Sequence, residues 1–99
     1  MIKHVVLFKF KNVTDLPDKT EKLASIKQSL EQLINRVPEL RMIEVGLNNN
    51  PNESYDLSLI SEFKSWDDLK AYVIHPEHQK VGAVIREILS ERACVDYEF

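Results

Sequence analysis

Hydrophobic and polar residues alternate along the first part of the chain, which is the pattern of a β-strand with two different faces. Over residues 2–11 one face carries Ile2, His4, Val6, Phe8 and Phe10, and the other carries Lys3, Val5, Leu7, Lys9 and Lys11. Residues 41–47 and 55–63 are predicted as further strands, the latter because it alternates again, and residues 93–97 as a short last strand. Turn-forming residues follow the first strand at positions 12–18 and separate the second and third strands at positions 48–54.

Two other regions show the three- and four-residue spacing of amphipathic helices. The first is predicted over residues 18–37 and ends at Pro38; its apolar stripe is Leu23, Ile26, Leu30, Leu33, Ile34 and Val37. The second begins after Ser65, which is predicted to cap it, with Asp68 three residues later. Pro76 breaks or kinks this helix, and a further helical segment follows, with Val81, Val84, Ile85, Ile88 and Leu89 on its apolar side.

The element order βαββαβ predicts an α+β fold of the ferredoxin-like type, a four-stranded antiparallel sheet with helices on one face. With 99 residues, the chain is predicted to form one domain over residues 1–99. The second sheet face then carries an apolar patch made of Val5, Leu7, Ile60, Val95 and Tyr97. Such a patch is unusual on a monomer, so we expect a homodimer in which two copies cover this face for each other.

Composition removes several classes of function. The net charge is −3 with both signs interspersed and no basic stripe, which disfavours a nucleic-acid partner. No apolar run approaches the roughly 18 residues of a membrane span, and the N-terminus does not resemble a signal peptide. A single cysteine, Cys94, excludes an internal disulfide, and its apolar neighbours predict a small core residue. The expected location is the cytoplasm.

Candidate chemistry is concentrated in AYVIHPEH, residues 71–78. Tyr72 can act as a neutral hydrogen-bond donor or simply close the core, and His78 can act as a base near neutrality or start a helix. His75 precedes Pro76 and is expected to shape the turn. The two histidines have a possible metal-ligand spacing, but proline disturbs that turn and no obvious ligands complete a shell, so no metal is predicted.

Three stretches, KHVVLFKFK, YVIHPEH and VDY, resemble the stress-responsive dimeric α/β-barrel domain family. The resemblance implies a ferredoxin-like protomer and a homodimer whose two sheets form a barrel. In the family's polyketide cyclases, the residues matching Tyr72 and His78 are catalytic. The residue matching His4 lines the pocket, and the one matching Asp96 supports the catalytic histidine. Two positions depart from those cyclases, which have a histidine at the place of Leu57 and an apolar residue near that of Arg92.

Two hypotheses follow. In the first, a small-molecule pocket between sheet and helices is lined by Phe8 and Leu59, with His4 and Asp96 as polar groups. Tyr72 and His78 there perform acid–base chemistry on a carbonyl compound without a cofactor. Haem, which some related dimeric α/β barrels bind, is selected by no residue of this sequence. In the second hypothesis, the chain is a non-catalytic dimeric domain with a structural or stress-linked role.

Overall fold

A computed structural model describes the backbone of residues 1–11 and 16–99 and the side chains of residues 1–11 and 18–99. The elements in chain order are β1 (Ile2–Phe10), α1 (Leu16–Glu31), a 3-10 helix (Gln32–Asn35), β2 (Leu40–Leu47), β3 (Leu57–Phe63), α2 (Trp66–Ile74), α3 (Pro76–Ile88) and β4 (Leu89–Glu98). The strands form one antiparallel sheet in the spatial order β2–β3–β1–β4. The predicted ferredoxin-like α+β order is therefore confirmed, with the second helical region divided into two helices.

The helix-covered side of the sheet holds the hydrophobic core. Burial alternates along β1 and β3, as the sequence pattern predicted, because every second side chain of a strand points to the same face. The core is closed by apolar residues of the helices, and its buried members are Ile2, Val6, Phe8, Phe10, Ile26, Leu30, Leu33, Val37, Leu40, Val45, Leu57, Leu59, Phe63, Leu69, Tyr72 and Ile85. Two polar residues, His4 and Ser61, are buried with them on paired positions of β1 and β3.

The opposite side of the sheet is open in the single chain. Val5 pairs with Ile60 on one side and with Val95 on the other, so these three side chains form a row across that face. Leu7, Val95 and Tyr97 expose 37%, 55% and 43% of their surface. The predicted apolar patch is therefore present and uncovered in the protomer.

Several boundaries differ from those predicted. The first helix begins at Leu16, and residues 32–35 continue it as a 3-10 turn that ends before Pro38. β4 begins at Leu89, four residues earlier than expected. The sequence pattern missed this start because an exposed strand at the edge of the sheet needs no apolar alternation. The predicted turn at residues 12–18 falls partly outside the described residues, which exclude 12–15.

The break between α2 and α3 has a simple local cause. His75 has φ −63° and ψ 135°, an extended conformation that the following proline favours, and it ends α2. Pro76 then occupies the first turn of α3, where a missing backbone N–H costs nothing. The start of α2 is capped as predicted, because the Ser65 side chain accepts a hydrogen bond from the Asp68 backbone N–H at 3.2 Å.

All helices in the described part of the chain are short. None of them is long and apolar enough to cross a membrane.

Candidate functional site

A cavity of about 230 Å³ lies between the sheet and the helices α1 and α3. Most of its wall is apolar, and four basic or imidazole side chains provide the polar groups. The lining residues are His4, Val6, Phe8, Leu30, Leu59, His78, Gly82, Ile85, Arg86, Leu89 and Arg92. Phe8 and Leu59, which the sequence had suggested as pocket residues, lie in this wall. An apolar cavity with a few convergent polar groups is the usual form of a small-molecule site.

His78 is the imidazole of the helices that reaches this cavity. Its Nδ1–H donates to the Val73 carbonyl oxygen at 3.0 Å, since a carbonyl can only accept. This bond leaves Nε2 with a free lone pair. Burial lowers the pKa of His78, and repulsion from His4, Arg86 and Arg92 lowers it further, against the opposing effect of the Val73 bond. The ring is therefore a neutral base near pH 7.

Tyr72 lies beside His78 but below the cavity wall. Its ring packs against His78 with 4.4 Å between centroids and against Phe63 with 5.0 Å, and it exposes none of its surface. The hydroxyl has no hydrogen-bond partner among the described residues. Burial raises the pKa of Tyr72 well above its ordinary value, so the phenol stays protonated at any ordinary pH. The result is a neutral hydroxyl donor adjacent to the base.

His4 and Asp96 form a second polar pair on the same side of the sheet. The two residues face each other across the β1–β4 register, and His4 Nδ1 bonds to Asp96 Oδ1. His4 is buried, whereas the Asp96 side chain exposes 32% of its surface. The expectation that Asp96 would support His78 is wrong in this structure. The strand pairing sets Asp96 opposite His4, and the Val73 carbonyl satisfies His78 Nδ1 instead.

Cys94 is exposed rather than a small core residue, which corrects the sequence-based expectation. It lies two residues before Asp96, and the helices do not cover this edge strand. Its sulfur is 3.7 Å from His4 Nδ1 and 3.6 Å from Asp96 Oδ1. Burial and the Asp96 carboxylate raise the pKa of this thiol, so it is a poor nucleophile at neutral pH.

His4, Cys94 and Asp96 are also the described residues that could together hold a metal ion, since one ligand atom from each lies within 4.8 Å of the others. The sequence showed no such spacing because His4 is distant in the chain. In the structure the imidazole and carboxylate bond directly to each other, which occupies two of the three ligand atoms.

His75 serves the helix junction and does not line the cavity. Its Nδ1 accepts a hydrogen bond from the Glu77 backbone N–H at 3.1 Å, and so it caps α3. This position agrees with the prediction that His75 and Pro76 shape the turn.

Sequence reasoning missed Arg86 as a cavity residue. The signal was present, because His78, Gly82 and Arg86 follow at four-residue steps and such residues share one face of a helix. Arg92 reaches the cavity from β4, as the residue paired with Phe8. It was noted only as a departure from related cyclases.

A larger groove of about 540 Å³ runs between α1 and α3 and is lined by Lys22, Arg36, Glu77 and Lys80, among others. Arg36 and Glu77 form an ion pair across it at 3.3 Å. No histidine or tyrosine lines this groove. The imidazoles of His4 and His78 line the smaller cavity instead.

Fold and cavity together define a small ferredoxin-like α+β protein with two histidines in a pocket between sheet and helices. The model of the stress responsive A/B barrel domain, Dabb, matches residues 2–99, and the chain belongs to this family. An uncharacterised protein from Streptomyces coelicolor is 33% identical over 100 residues, which cover all of both chains. Olivetolic acid cyclase from Cannabis sativa is 26% identical over 99 residues, covering 97% of this chain and 94% of the cyclase.

The fold is also found among solved structures. A crystal structure from Bacteroides fragilis superposes with a TM-score of 0.93 and 44% identity, covering 99% of this chain and 95% of the other. That protein is described as dimeric, ferredoxin-like and of unknown function.

Proposed function

We propose that this protein is a homodimeric small-molecule-binding protein whose cavity performs cofactor-free acid–base chemistry on a carbonyl compound. One observation carries the proposal: a neutral imidazole with a free Nε2 lines an apolar cavity and packs against a tyrosine ring whose hydroxyl has no partner among the described residues. The 26% identity to olivetolic acid cyclase along almost the whole chain supports the same reading. The exposed single cysteine suits a reducing compartment, and the cytoplasm is part of the proposal.

In this scheme His78 is the general base. Its Nδ1–H bond to Val73 fixes the ring orientation and the tautomer, so Nε2 can remove a proton from the carbon next to a carbonyl group. The lowered pKa keeps the ring unprotonated at neutral pH, which is the state that a base requires.

Tyr72 is the proposed donor to the carbonyl oxygen as it gains negative charge. A donor of this kind stabilises an enolate most strongly when little water surrounds it. Tyr72 does not line the cavity and its hydroxyl has no partner among the described residues, so the proposal requires that the His78 ring or the ligand shifts to bring this hydroxyl within hydrogen-bond reach.

His4 and Asp96 complete the polar lining on the side of the sheet. The Asp96 carboxylate accepts from His4 Nδ1 and so orients the His4 ring, which lines the cavity. We propose that His4 and Asp96 position the ligand and that the reacting proton moves to His78.

The dimer is proposed to form through the open sheet face, with Val5, Leu7, Ile60, Val95 and Tyr97 in the interface. The exposure of this apolar row supports it, as does the dimeric relative from Bacteroides fragilis. Ile60→Glu combined with Val95→Glu should shift the protein from dimer to monomer at about 10 μM in sedimentation experiments, since both charges would be buried. Ile74→Glu is the matched control, because Ile74 lies on α2 and exposes 70% of its surface. A dimer that survives the double substitution would contradict this interface.

Proton exchange tests the chemistry without knowledge of the natural substrate. In D₂O, the wild-type protein should accelerate exchange of the protons next to the ketone of 4-oxopentanoate, followed by proton NMR. His78→Gln should lower this protein-dependent rate by about 100-fold or more, the usual contribution of a general base. Tyr72→Phe should lower it while leaving the fold intact.

His75→Gln is the control for the exchange experiment, since this imidazole caps α3 outside the cavity. Its rate should match that of the wild type. Exchange no faster than in buffer, or a rate unchanged in His78→Gln, would overturn the catalytic proposal.

The second candidate is a non-catalytic dimeric domain. The complete burial of Tyr72 favours it, because the hydroxyl does not belong to the cavity wall. A stable dimer that binds no carbonyl compound and accelerates no exchange would establish this alternative.

A further inference from the structure

The cavity holds two arginines that the scheme above does not use. Arg86 lines it from α3 and Arg92 from β4, so two different elements each contribute a guanidinium group. Both residues are also exposed to solvent, which places them where the cavity opens. Their charges are close enough to His78 to contribute to the lowering of its pKa.

The guanidinium group of Arg86 lies close to Gly82, one turn earlier on the same helix. A Cβ at Gly82 would lie 3.2 Å from Arg86 Nη1 and 3.9 Å from Cζ, so the guanidinium rests directly on the helix surface at this glycine. This arrangement directs the group along the cavity wall, and both residues belong to the lining.

Neither arginine has an acidic partner among residues 1–11 and 16–99. No aspartate or glutamate lines the cavity, and no described carboxylate lies within 4.0 Å of either guanidinium. Asp96, on the same strand as Arg92, is already bonded to His4. Arg36 differs in this respect, since it pairs with Glu77.

We infer that Arg86 and Arg92 form a carboxylate-binding subsite at the opening of the cavity, so that the ligand is a small oxo acid. Guanidinium groups bind carboxylates with paired N–H donors, which fixes orientation as well as charge. The apolar wall formed by Val6, Phe8, Leu30, Leu59 and Ile85 fits the carbon skeleton of such a ligand. The inference rests on the proposed function, and it adds the feature that would hold the carbonyl group at a set distance from His78.

The experiment compares a carboxylate with its neutral counterpart. Binding of 4-oxopentanoate and 4-oxopentanamide to the intact protein is measured by NMR titration at low and high ionic strength. We expect the carboxylate to bind about tenfold more tightly, as for hydrogen bonds to a charged group. We also expect this preference to shrink as salt increases.

Variants assign the preference to the two arginines. Arg86→Gln and Arg92→Gln should each reduce carboxylate affinity and leave amide affinity unchanged, and the double variant should abolish the preference. Arg41→Gln is the control, because Arg41 is exposed on β2 and does not line the cavity. Both arginines of the cavity are exposed, so these variants should keep the fold, which circular dichroism checks.

The possible outcomes separate the two proposals. Equal binding of acid and amide, or a preference that persists in the double variant, overturns the carboxylate subsite and leaves the pocket proposal intact. Binding of neither compound overturns both proposals. A carboxylate preference that disappears in the double variant but not in Arg41→Gln supports the subsite.

Discussion

The two histidines of the cavity lie in contrasting surroundings. His4 comes from the central strand β1 and has a carboxylate partner, Asp96, on the neighbouring strand. His78 comes from a helix and has a backbone carbonyl, an aromatic ring and two nearby arginines, with no acid bonded to it among the described residues.

The difference in surroundings is the reason that the proposed function gives the two imidazoles different tasks. The Asp96 carboxylate is bonded to His4 Nδ1 and so orients that ring, which suits the proposed binding and positioning. Burial and nearby cations favour the neutral form of His78, against the opposing effect of the Val73 carbonyl, and the neutral form suits the proposed proton removal. The following predictions test the surroundings of His78 and of His4, with His75 as a reference outside the cavity.

The largest effect is expected at Tyr72, whose ring packs against His78. Tyr72→Ala should lower the free energy of unfolding by about 3–5 kcal/mol, as for other buried aromatic residues cut back to alanine. Tyr72→Phe should leave it unchanged or raise it, because the lost hydroxyl has no described partner. Urea unfolding at one fixed protein concentration measures both. A loss of 2 kcal/mol or more in Tyr72→Phe would show that the hydroxyl is already bonded.

A smaller effect is expected at Asp96, the carboxylate partner of His4. Asp96→Ala should lower the free energy of unfolding by about 1–2 kcal/mol, since it leaves His4 buried without its partner while Asp96 itself is partly in solvent. Glu44→Ala, at an exposed position of β2, is the control and should have little effect. Equal stability of the two variants would show that the His4–Asp96 bond contributes nothing.

The third imidazole provides a reference outside the cavity. His75→Ala should cost about 1 kcal/mol of stability through loss of the α3 cap, and His75→Asn should recover most of it. Neither should change ligand binding. A change in binding affinity in His75→Asn would show that the helix junction and the cavity are coupled.

The smallest effect is a change in the pH dependence of stability. An unfolded chain protonates His78 near its ordinary pKa of about 6.5, whereas the folded protein has a lowered pKa and keeps the ring neutral to lower pH. Below about pH 6.5 the unfolded state therefore takes up the proton more readily, and stability decreases as the pH falls. His78→Gln should reduce this decrease, measured by urea unfolding between about pH 7 and pH 5.5. An identical slope would contradict the lowered pKa.

The sequence pattern was informative wherever one side of an element is buried. The alternation of β1 identified both the core face and the open apolar face, because burial of alternate side chains leaves a direct trace in residue type. The extent of β4 was not predictable in the same way, since its residues are exposed and carry no alternation that burial would require.

The residues of the candidate site could be named from the sequence, whereas most of the contacts between them could not. Tyr72, His78, His4 and Asp96 lie on the helix-covered side, with the two histidines in the cavity wall. The partner of Asp96 depended on the register between β1 and β4, which shifts at Lys9 and Phe10 and leaves no mark in either strand's composition. The four-residue spacing of Arg86 was visible in the sequence, but its place in the cavity was not, because the cavity forms only when five elements pack together.

The pairing of β1 with β4 also determines when the cavity can close during synthesis. His4 and Asp96 are 92 positions apart, and β3 is the only other strand that pairs with β1 among the described residues. A ribosome therefore completes β1, β2, β3 and all the described helices before the strand that carries Asp96 and Arg92 exists. Closing a contact of such high sequence separation costs more chain entropy than closing a local one, which slows folding. The β4 wall of the cavity therefore closes only after the elements that form its other walls have been synthesised.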